Sequence, residues 1–241
     1  MSNVVGIVIN KQNWAKLIDF TYLKDRNDIS SISDFIETAN KCKGRGICSW
    51  IDVFDSRNLS AVLAEKISDL KKNGILLIGV VNFPGGKNSA DLIKSEAETA
   101  KKLGLGEIDT VLNAEALNKG DCEKVKKQIL AASRLFPKKT KLILETGALQ
   151  EQDFPKAMEI ANKTNVSFVK TSTGFNHNIS FEEKIRHIEI LADIIRKNNY
   201  DLKIKMSGGL ENLEQLMRGR EAGADIFGIS FQKAISIINS I

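Results

Sequence analysis

Five charged side chains could act together, because each stands near the end of a run of strand-forming residues and on the more polar face of that run. They are Asp19, Asp109, Glu145, Lys170 and Lys205. Successive side chains of a strand point to opposite faces, so an apolar face is left for packing while the charged residues share the other. Buried charges are costly unless they are paired or used. The set therefore predicts an active site, with a structural ion-pair network as the alternative.

The two lysines are the most informative of these residues. Lys205 shares its face with Lys203 and Ser207, and Lys170 lies in the preceding run. We expect the lysines to point inward, where a second ammonium a few ångströms away disfavours protonation of the first. A neutral lysine amine is a nucleophile toward carbonyl carbons. The pair is typical of a Schiff-base enzyme, in which a buried carboxylate such as Asp109 moves protons to and from the intermediates.

The elements that must position these residues alternate along the chain. Eight strand-like runs are predicted at residues 17–22, 46–51, 75–82, 108–113, 140–146, 166–172, 203–208 and 226–230. Helical periodicity is found at residues 30–42, 56–72, 89–103, 115–135, 152–163, 181–197, 212–222 and 232–241. Strict alternation of eight strands with eight helices predicts a single (β/α)8 TIM barrel over residues 1–241. A doubly wound open sheet is the alternative.

Glycine and hydroxyl residues after the last three predicted strands indicate a phosphate site. They are Thr173 and Gly174 after the sixth strand, Ser207, Gly208 and Gly209 after the seventh, and Ser230 at the end of the eighth. Backbone N–H groups, hydroxyls and a helix N-terminus supply hydrogen-bond donors to a phosphate, and the loops after strands seven and eight often form this pocket in such barrels. The alternative is that Ser207, Gly208 and Gly209 form only a turn, as an isolated Ser-Gly-Gly sequence often does.

Composition and charge exclude some classes of protein. The chain has 241 residues, of which 42% are hydrophobic and 27% charged, so it can bury a large core and is not expected to be disordered. Its net charge of +5 is spread along the chain, which fits phosphorylated small molecules and does not suggest nucleic-acid binding. The longest strongly apolar stretch, residues 74–81, is too short to span a bilayer, and no signal-peptide pattern is seen at the N-terminus. We expect a cytoplasmic protein with no membrane partner.

The cysteines and histidines argue against a disulfide framework and against a zinc site. Cys42, Cys48 and Cys122 are odd in number and lack CxxC spacing, and His177 and His187 are the two histidines. We expect both histidines at the surface and no bound metal.

Several segments resemble the deoxyribose-phosphate aldolases, a family of class I aldolases. The most specific is FVKTSTGF at residues 168–175. The others are LIDFTYLK at 17–24, NFPGG at 82–86, EIDTV at 107–111, LETGA at 144–148 and KMSGG at 205–209. The resemblance therefore covers nearly the whole chain.

The resemblance implies a role for each of the central residues. Lys170 would form the Schiff base, Lys205 would disfavour protonation of Lys170, and Asp109 would relay protons. Asp19, Thr21 and Cys48 would lie near the substrate, together with the glycine and hydroxyl residues of the phosphate site. Departures from the family pattern occur at Phe20, Asp25, Met206 and Phe231, the last beside Ser230 where a serine pair often binds phosphate.

By this resemblance we expect reversible cleavage of 2-deoxy-D-ribose 5-phosphate into acetaldehyde and D-glyceraldehyde 3-phosphate without a metal or cofactor. The expected partners are a phosphorylated sugar and acetaldehyde, with no nucleic acid, and the resemblance allows a homodimer. One alternative is a Schiff-base aldolase that acts on a different phosphorylated sugar. Another is a catalytically idle barrel that binds a phosphorylated metabolite or nucleic acid.

Overall fold

Eight parallel strands close into a barrel in the order in which they occur in the chain. The computed structural model describes residues 10–55, 57, 60–175 and 179–241. The strands are β1 (Ile18–Tyr22), β2 (Gly46–Trp50), β3 (Leu76–Val81), β4 (Glu107–Val111), β5 (Thr140–Ile143), β6 (Phe168–Lys170), β7 (Lys203–Ser207) and β8 (Ile226–Ser230). Because β1 pairs with β8, the sheet has no edges, which confirms the predicted (β/α)8 TIM barrel and excludes the open sheet.

A helix precedes β1, and further helices follow the strands and cover the outside of the barrel. They are α1 (Lys11–Ala15), α2 (Ile29–Cys42), α3 (Ala61–Lys72), α4 (Ala90–Lys102), α5 (Ala114–Asn118), α6 (Cys122–Ser133), α7 (Phe154–Lys163), α8 (Phe181–Asn198), α9 (Leu213–Ala222) and α10 (Phe231–Asn239). Among the described residues, no helix is long and apolar enough to cross a membrane. The predicted helix at 56–72 begins only at Ala61, and residues 56, 58 and 59 lie outside the described part.

One predicted helix is wrong in its extent, since residues 115–135 form two helices rather than one. Helix α5 ends before Gly120, whose φ of +78° lies in the left-handed region and interrupts the helix. Asp121 then caps α6 by accepting a hydrogen bond from the backbone N–H of Lys124. The apolar spacing continued across this break, which is why the sequence pattern suggested a single helix.

Alternate residues of β7 face the helices outside the barrel and the barrel interior. Met206 is fully buried on the outer face, where a Cβ atom at Gly219 of α9 would lie only 2.5 Å from its sulfur. Lys205 points inward and is fully buried. Lys203 is exposed at the first position of the strand, so the prediction that it also points into the interior is wrong.

The prediction that His187 lies at the surface is also wrong. His187 on α8 is buried, and its ring meets the ring of Phe154 edge-on at a centroid distance of 5.0 Å. Burial lowers the pKa of His187. Its place in the sequence, on a helix rich in charged residues, gave no sign of this packing. His177 lies outside the described residues.

Candidate active site

Asp109 is the centre of a buried ion cluster inside the barrel. Its Oδ2 accepts hydrogen bonds from Lys170 Nζ at 3.1 Å and from Lys205 Nζ at 2.9 Å. Its Oδ1 accepts a hydrogen bond from Lys141 Nζ at 3.0 Å. Strand register produces this arrangement, because Asp109 is the β-partner of Lys141 and Lys170 is the β-partner of Lys205. The structure thus brings together the three residues predicted to be catalytic and adds a third lysine.

A second group of charges completes the cluster. Asp19 Oδ2 accepts a hydrogen bond from Lys205 Nζ at 2.6 Å, and Asp19 Oδ1 accepts one from Arg45 at 2.6 Å. Arg45 also donates to Glu107 at 2.6 Å, and Lys141 forms an ion pair with Glu107. Asp19 is fully buried by these contacts. Its two carboxylate oxygens thus hold Lys205 and Arg45 in place.

A cavity of about 290 Å³ opens at the carboxyl ends of the strands, next to this cluster. Of the predicted site residues, it is lined by Thr21, Lys170, Thr173, Gly174, Ser207, Gly208, Gly209 and Ser230. Among the described residues, Lys170 is the single lysine of the ion cluster that lines the cavity. Lys205, Asp109, Asp19 and Cys48 are buried and do not line it. The structure therefore separates one accessible lysine from the charges that surround it.

The end of the cavity away from the cluster offers donors for an anion. Gly208 and Gly209 form a turn with φ values of +86° and +67°, which glycine adopts without strain. Helix α10 starts here, and its N-cap Ser230 makes no side-chain capping hydrogen bond, so the first-turn N–H groups lack that partner. The hydroxyl of Ser207 instead donates to the Ser172 carbonyl at 2.6 Å. The hydroxyl of Thr173 donates to Glu145 at 2.5 Å.

Cys48 is enclosed beneath the cavity. Its Sγ lies 3.9 Å from Asp109 Oδ2, and Leu23, Ile78 and Val80 pack around it. Burial raises the pKa of the Cys48 thiol to about 11, and the nearby Asp109 carboxylate adds to this. The side chain is therefore a thiol at neutral pH and a poor nucleophile.

Neighbouring opposite charges decide the protonation states of Lys205 and Asp109. Burial alone would lower the pKa of Lys205, but Asp109 and Asp19 outweigh this and raise it, so Lys205 is an ammonium at neutral pH. Burial alone would raise the pKa of Asp109, but Lys141, Lys205 and Lys170 hold it well below its usual range. Asp109 is therefore a carboxylate at neutral pH.

Sequence reasoning missed Lys141, Glu107 and Arg45. Lys141 has the same strand parity as Glu145, and Glu107 has the same parity as Asp109, so alternation could have found both. Glu107 was overlooked because the predicted strand began one residue later, at Ile108. Arg45 precedes β2, outside the predicted run, and no periodicity marks it. Among the described residues, no group of His, Cys, Asp and Glu side chains is arranged to hold a metal.

Acid should destabilise the folded protein through Asp19. Burial alone would raise the pKa of Asp19, but Lys205, Lys141 and Arg45 lower it from 3.8 to about 2. A carboxylate whose pKa falls on folding stabilises the protein above its unfolded pKa, and this contribution is lost as the pH falls toward the folded pKa. The shift corresponds to about 2 kcal/mol at neutral pH. The difference in unfolding free energy between wild type and Asp19→Asn should narrow as the pH falls from 3.8 to about 2. A difference that stays constant with pH would contradict this role.

Several known proteins that resemble this chain are named deoxyribose-phosphate aldolase. A Staphylococcus carnosus protein named deoxyribose-phosphate aldolase is 31% identical over 221 residues, which cover 90% of this chain and 93% of that protein. A Clostridium perfringens protein of the same name is 33% identical over 229 residues, covering 94% of this chain and 96% of that protein. The fold matches the tetrameric deoxyribose phosphate aldolase structure from Aeropyrum pernix with a TM-score of 0.79 at 24% identity, over 96% of this chain and 92% of that chain. A scan against protein-family models finds no match. On the identity and coverage of its curated relatives, the chain belongs to the deoxyribose-phosphate aldolase family.

Proposed function

We propose that this aldolase reversibly cleaves 2-deoxy-D-ribose 5-phosphate into acetaldehyde and D-glyceraldehyde 3-phosphate through a Schiff base on Lys170. One observation carries the proposal. Lys170 lines the cavity while its Nζ stays 3.1 Å from Asp109 Oδ2, and the same oxygen accepts a hydrogen bond from Lys205. A nucleophile, a proton-transfer group and a fixed positive charge are therefore in contact at the floor of the cavity.

The charges of the cluster support a neutral amine at Lys170. If every group were ionised, the cluster would hold four cations, Arg45 and the three lysines, against the three anions Asp19, Glu107 and Asp109. The excess of one positive charge, four minus three, would be buried. With Lys170 neutral the cluster has three charges of each sign. Because an unbalanced buried charge is costly, this balance favours the nucleophilic form.

In the cleavage direction, Lys170 Nζ attacks C1 of the open-chain aldehyde to give a carbinolamine, and loss of water gives an iminium ion. The C3 hydroxyl then loses its proton, the C2–C3 bond breaks, and its electron pair moves to the iminium to form an enamine. D-Glyceraldehyde 3-phosphate leaves with the new carbonyl at C3. Protonation of the enamine at C2 and hydrolysis of the imine release acetaldehyde and restore Lys170.

The buried groups divide the remaining tasks. Asp109 passes protons between water and the intermediates, since its Oδ2 is in hydrogen-bond contact with Lys170 Nζ. Lys205 holds Asp109 through the 2.9 Å hydrogen bond and keeps a positive charge beside Lys170. The glycine turn at Gly208 and Gly209, together with Ser230 and the start of α10, is the proposed site for the substrate phosphate.

Borohydride reduction tests this proposal directly. With acetaldehyde or 2-deoxy-D-ribose 5-phosphate present, we expect one reduced adduct per chain, and peptide mapping should place it on Lys170. Omitting the aldehyde is the control. An adduct on Lys205 or Lys141, or no adduct at all, would overturn the assignment of the nucleophile. Product analysis in parallel reactions without borohydride distinguishes the expected products from those of a different phosphorylated sugar.

A further inference from the structure

Lys184 is a buried lysine near the proposed phosphate site, and no carboxylate of the described residues lies close to its charge. It lies in the first turn of α8 and is 6% exposed. Its Nζ donates a hydrogen bond to the carbonyl oxygen of Gly208. Within the described part of the chain, no carboxylate oxygen lies within 4.0 Å of this ammonium. The lysines of the central cluster, in contrast, each contact a carboxylate.

A buried ammonium with a carbonyl as its partner is poorly compensated. Burial lowers the pKa of Lys184, and the charge of Glu145 at a longer distance opposes this only in part. Glu145 itself is engaged elsewhere, since its Oε2 accepts hydrogen bonds from the backbone and hydroxyl of Thr173. The free enzyme therefore holds a positive charge that an anion would stabilise.

Lys184 stands behind the turn that faces the active-site cavity. A second cavity of about 220 Å³ contains Lys184 and Ser172, and it shares Gly174, Gly208 and Gly209 with the active-site cavity. The Ser172 hydroxyl is buried and has no hydrogen-bond partner among the described residues. The glycine turn thus forms the wall between a cationic, polar compartment and the proposed phosphate site.

The geometry of a peptide unit connects the two sides of this wall. A trans peptide places its carbonyl oxygen and its N–H on opposite sides. Lys184 holds the carbonyl of Gly208, so the N–H of the same peptide, which belongs to Gly209, is directed away from Lys184. Among the described residues, this N–H donates to no protein acceptor. The hydrogen bond from the ammonium also polarises the peptide and makes its N–H a stronger donor.

We propose that Lys184 is a positioning residue for the substrate phosphate: it fixes and polarises the Gly208–Gly209 peptide so that the Gly209 N–H binds the anion, and its charge is compensated when the phosphate arrives. This inference rests on the proposed function, because it assigns the phosphate to the glycine turn. The phosphate in turn relieves the buried charge that the free protein carries.

Two variants separate the charge of Lys184 from its hydrogen bond. Lys184→Met removes both, whereas Lys184→Gln keeps a donor for the Gly208 carbonyl without the charge. With Lys184→Met we expect KM for 2-deoxy-D-ribose 5-phosphate to rise about tenfold or more, and the preference for this substrate over unphosphorylated 2-deoxy-D-ribose to fall by the same factor. Lys184→Gln should lie between wild type and Lys184→Met. Lys197→Met, an exposed change on the same helix, is the control and should alter neither value.

Thermal unfolding supplies a readout that does not depend on catalysis. Removing an uncompensated buried charge should raise the Tm of phosphate-free Lys184→Met, whereas a purely structural lysine would lower it when replaced. Inorganic phosphate should raise the Tm of wild type and of Lys197→Met but not that of Lys184→Met. If Lys184→Met does not fold, the same comparison is made with Lys184→Gln.

The outcomes distinguish this inference from the proposed function. If wild type fails to cleave the sugar phosphate, the proposed reaction is wrong, and the response of Tm to inorganic phosphate still decides the role of Lys184. An equal response in wild type and Lys184→Met, or none in wild type, would overturn the inference. Equal losses on the phosphorylated and unphosphorylated sugars would also overturn it, because they would show a general effect on the active site.

Discussion

Replacing Lys170 by methionine should abolish imine trapping and lower kcat/KM by at least about a thousandfold, the scale of loss seen when a covalent nucleophile is removed. Methionine fills a similar volume but has no amine, so no carbonyl carbon can be captured at this position. The loss should be the same at every pH, because no change in protonation restores a nucleophile. Steady-state cleavage of 2-deoxy-D-ribose 5-phosphate and borohydride trapping measure the two effects.

Stability provides the check that the loss is chemical. If Lys170 is neutral in the resting enzyme, Lys170→Met leaves the balance of three buried charges of each sign intact, and the Tm at pH 7 should stay within about 5 °C of wild type. Lys203→Met, on the exposed start of the neighbouring strand, is the matched control and should keep full activity. Trapping that persists in Lys170→Met would show that another lysine is the nucleophile.

The sequence allowed the barrel and the centre of its site to be predicted for the same physical reason. A strand buried on both faces places alternate residues inside and outside, so a charged residue among apolar neighbours must point inward. This rule located Asp109 on β4, Lys170 on β6 and Lys205 on β7. It was misleading at Lys203, where the strand has only begun and the side chain reaches solvent.

Other features depend on register, which alternation does not give. Parity does not say which of the three inward lysines reaches the cavity, since that depends on how far along its strand each one stands and on its neighbours. Lys170 is the last residue of β6, while Lys141 is the second residue of β5 and lies deeper. The pairing of Lys141 with Asp109 follows from the stagger of the closed barrel.

The buried position of Lys184 could not be predicted from the sequence for a different reason. A lysine in an amphipathic helix is usually solvated. The side chain is buried here because the start of α8 packs behind the Gly208–Gly209 turn, a contact between residues 24 apart along the chain. Such a contact becomes visible only when the loops after β6 and β7 are placed side by side.

Replacing Lys205 by methionine should produce a different defect from loss of Lys170, namely one that depends on pH. Without Lys205 the cluster has two permanent cations, Arg45 and Lys141, and three anions, so protonation of Lys170 now restores the balance. Asp109 Oδ2 also loses the Lys205 ammonium as a partner, so a positive charge on Lys170 is more strongly favoured. Lys170 should therefore remain in place but be largely protonated at neutral pH.

The rate at neutral pH should fall about tenfold for each 1.4 kcal/mol by which protonation of Lys170 becomes more favourable. It should recover in part as the pH rises and the free amine returns. The fold should survive, because Asp19 keeps Arg45, Asp109 keeps Lys141, and methionine occupies the space that Gly228 leaves for the lysine stem. The decisive measurement is the pH profile of kcat/KM for folded Lys205→Met beside Lys203→Met. A limb that moves to higher pH supports a role for the Lys205 charge, whereas a loss of equal size at every pH would show that Lys205 itself transfers a proton or bonds to the substrate.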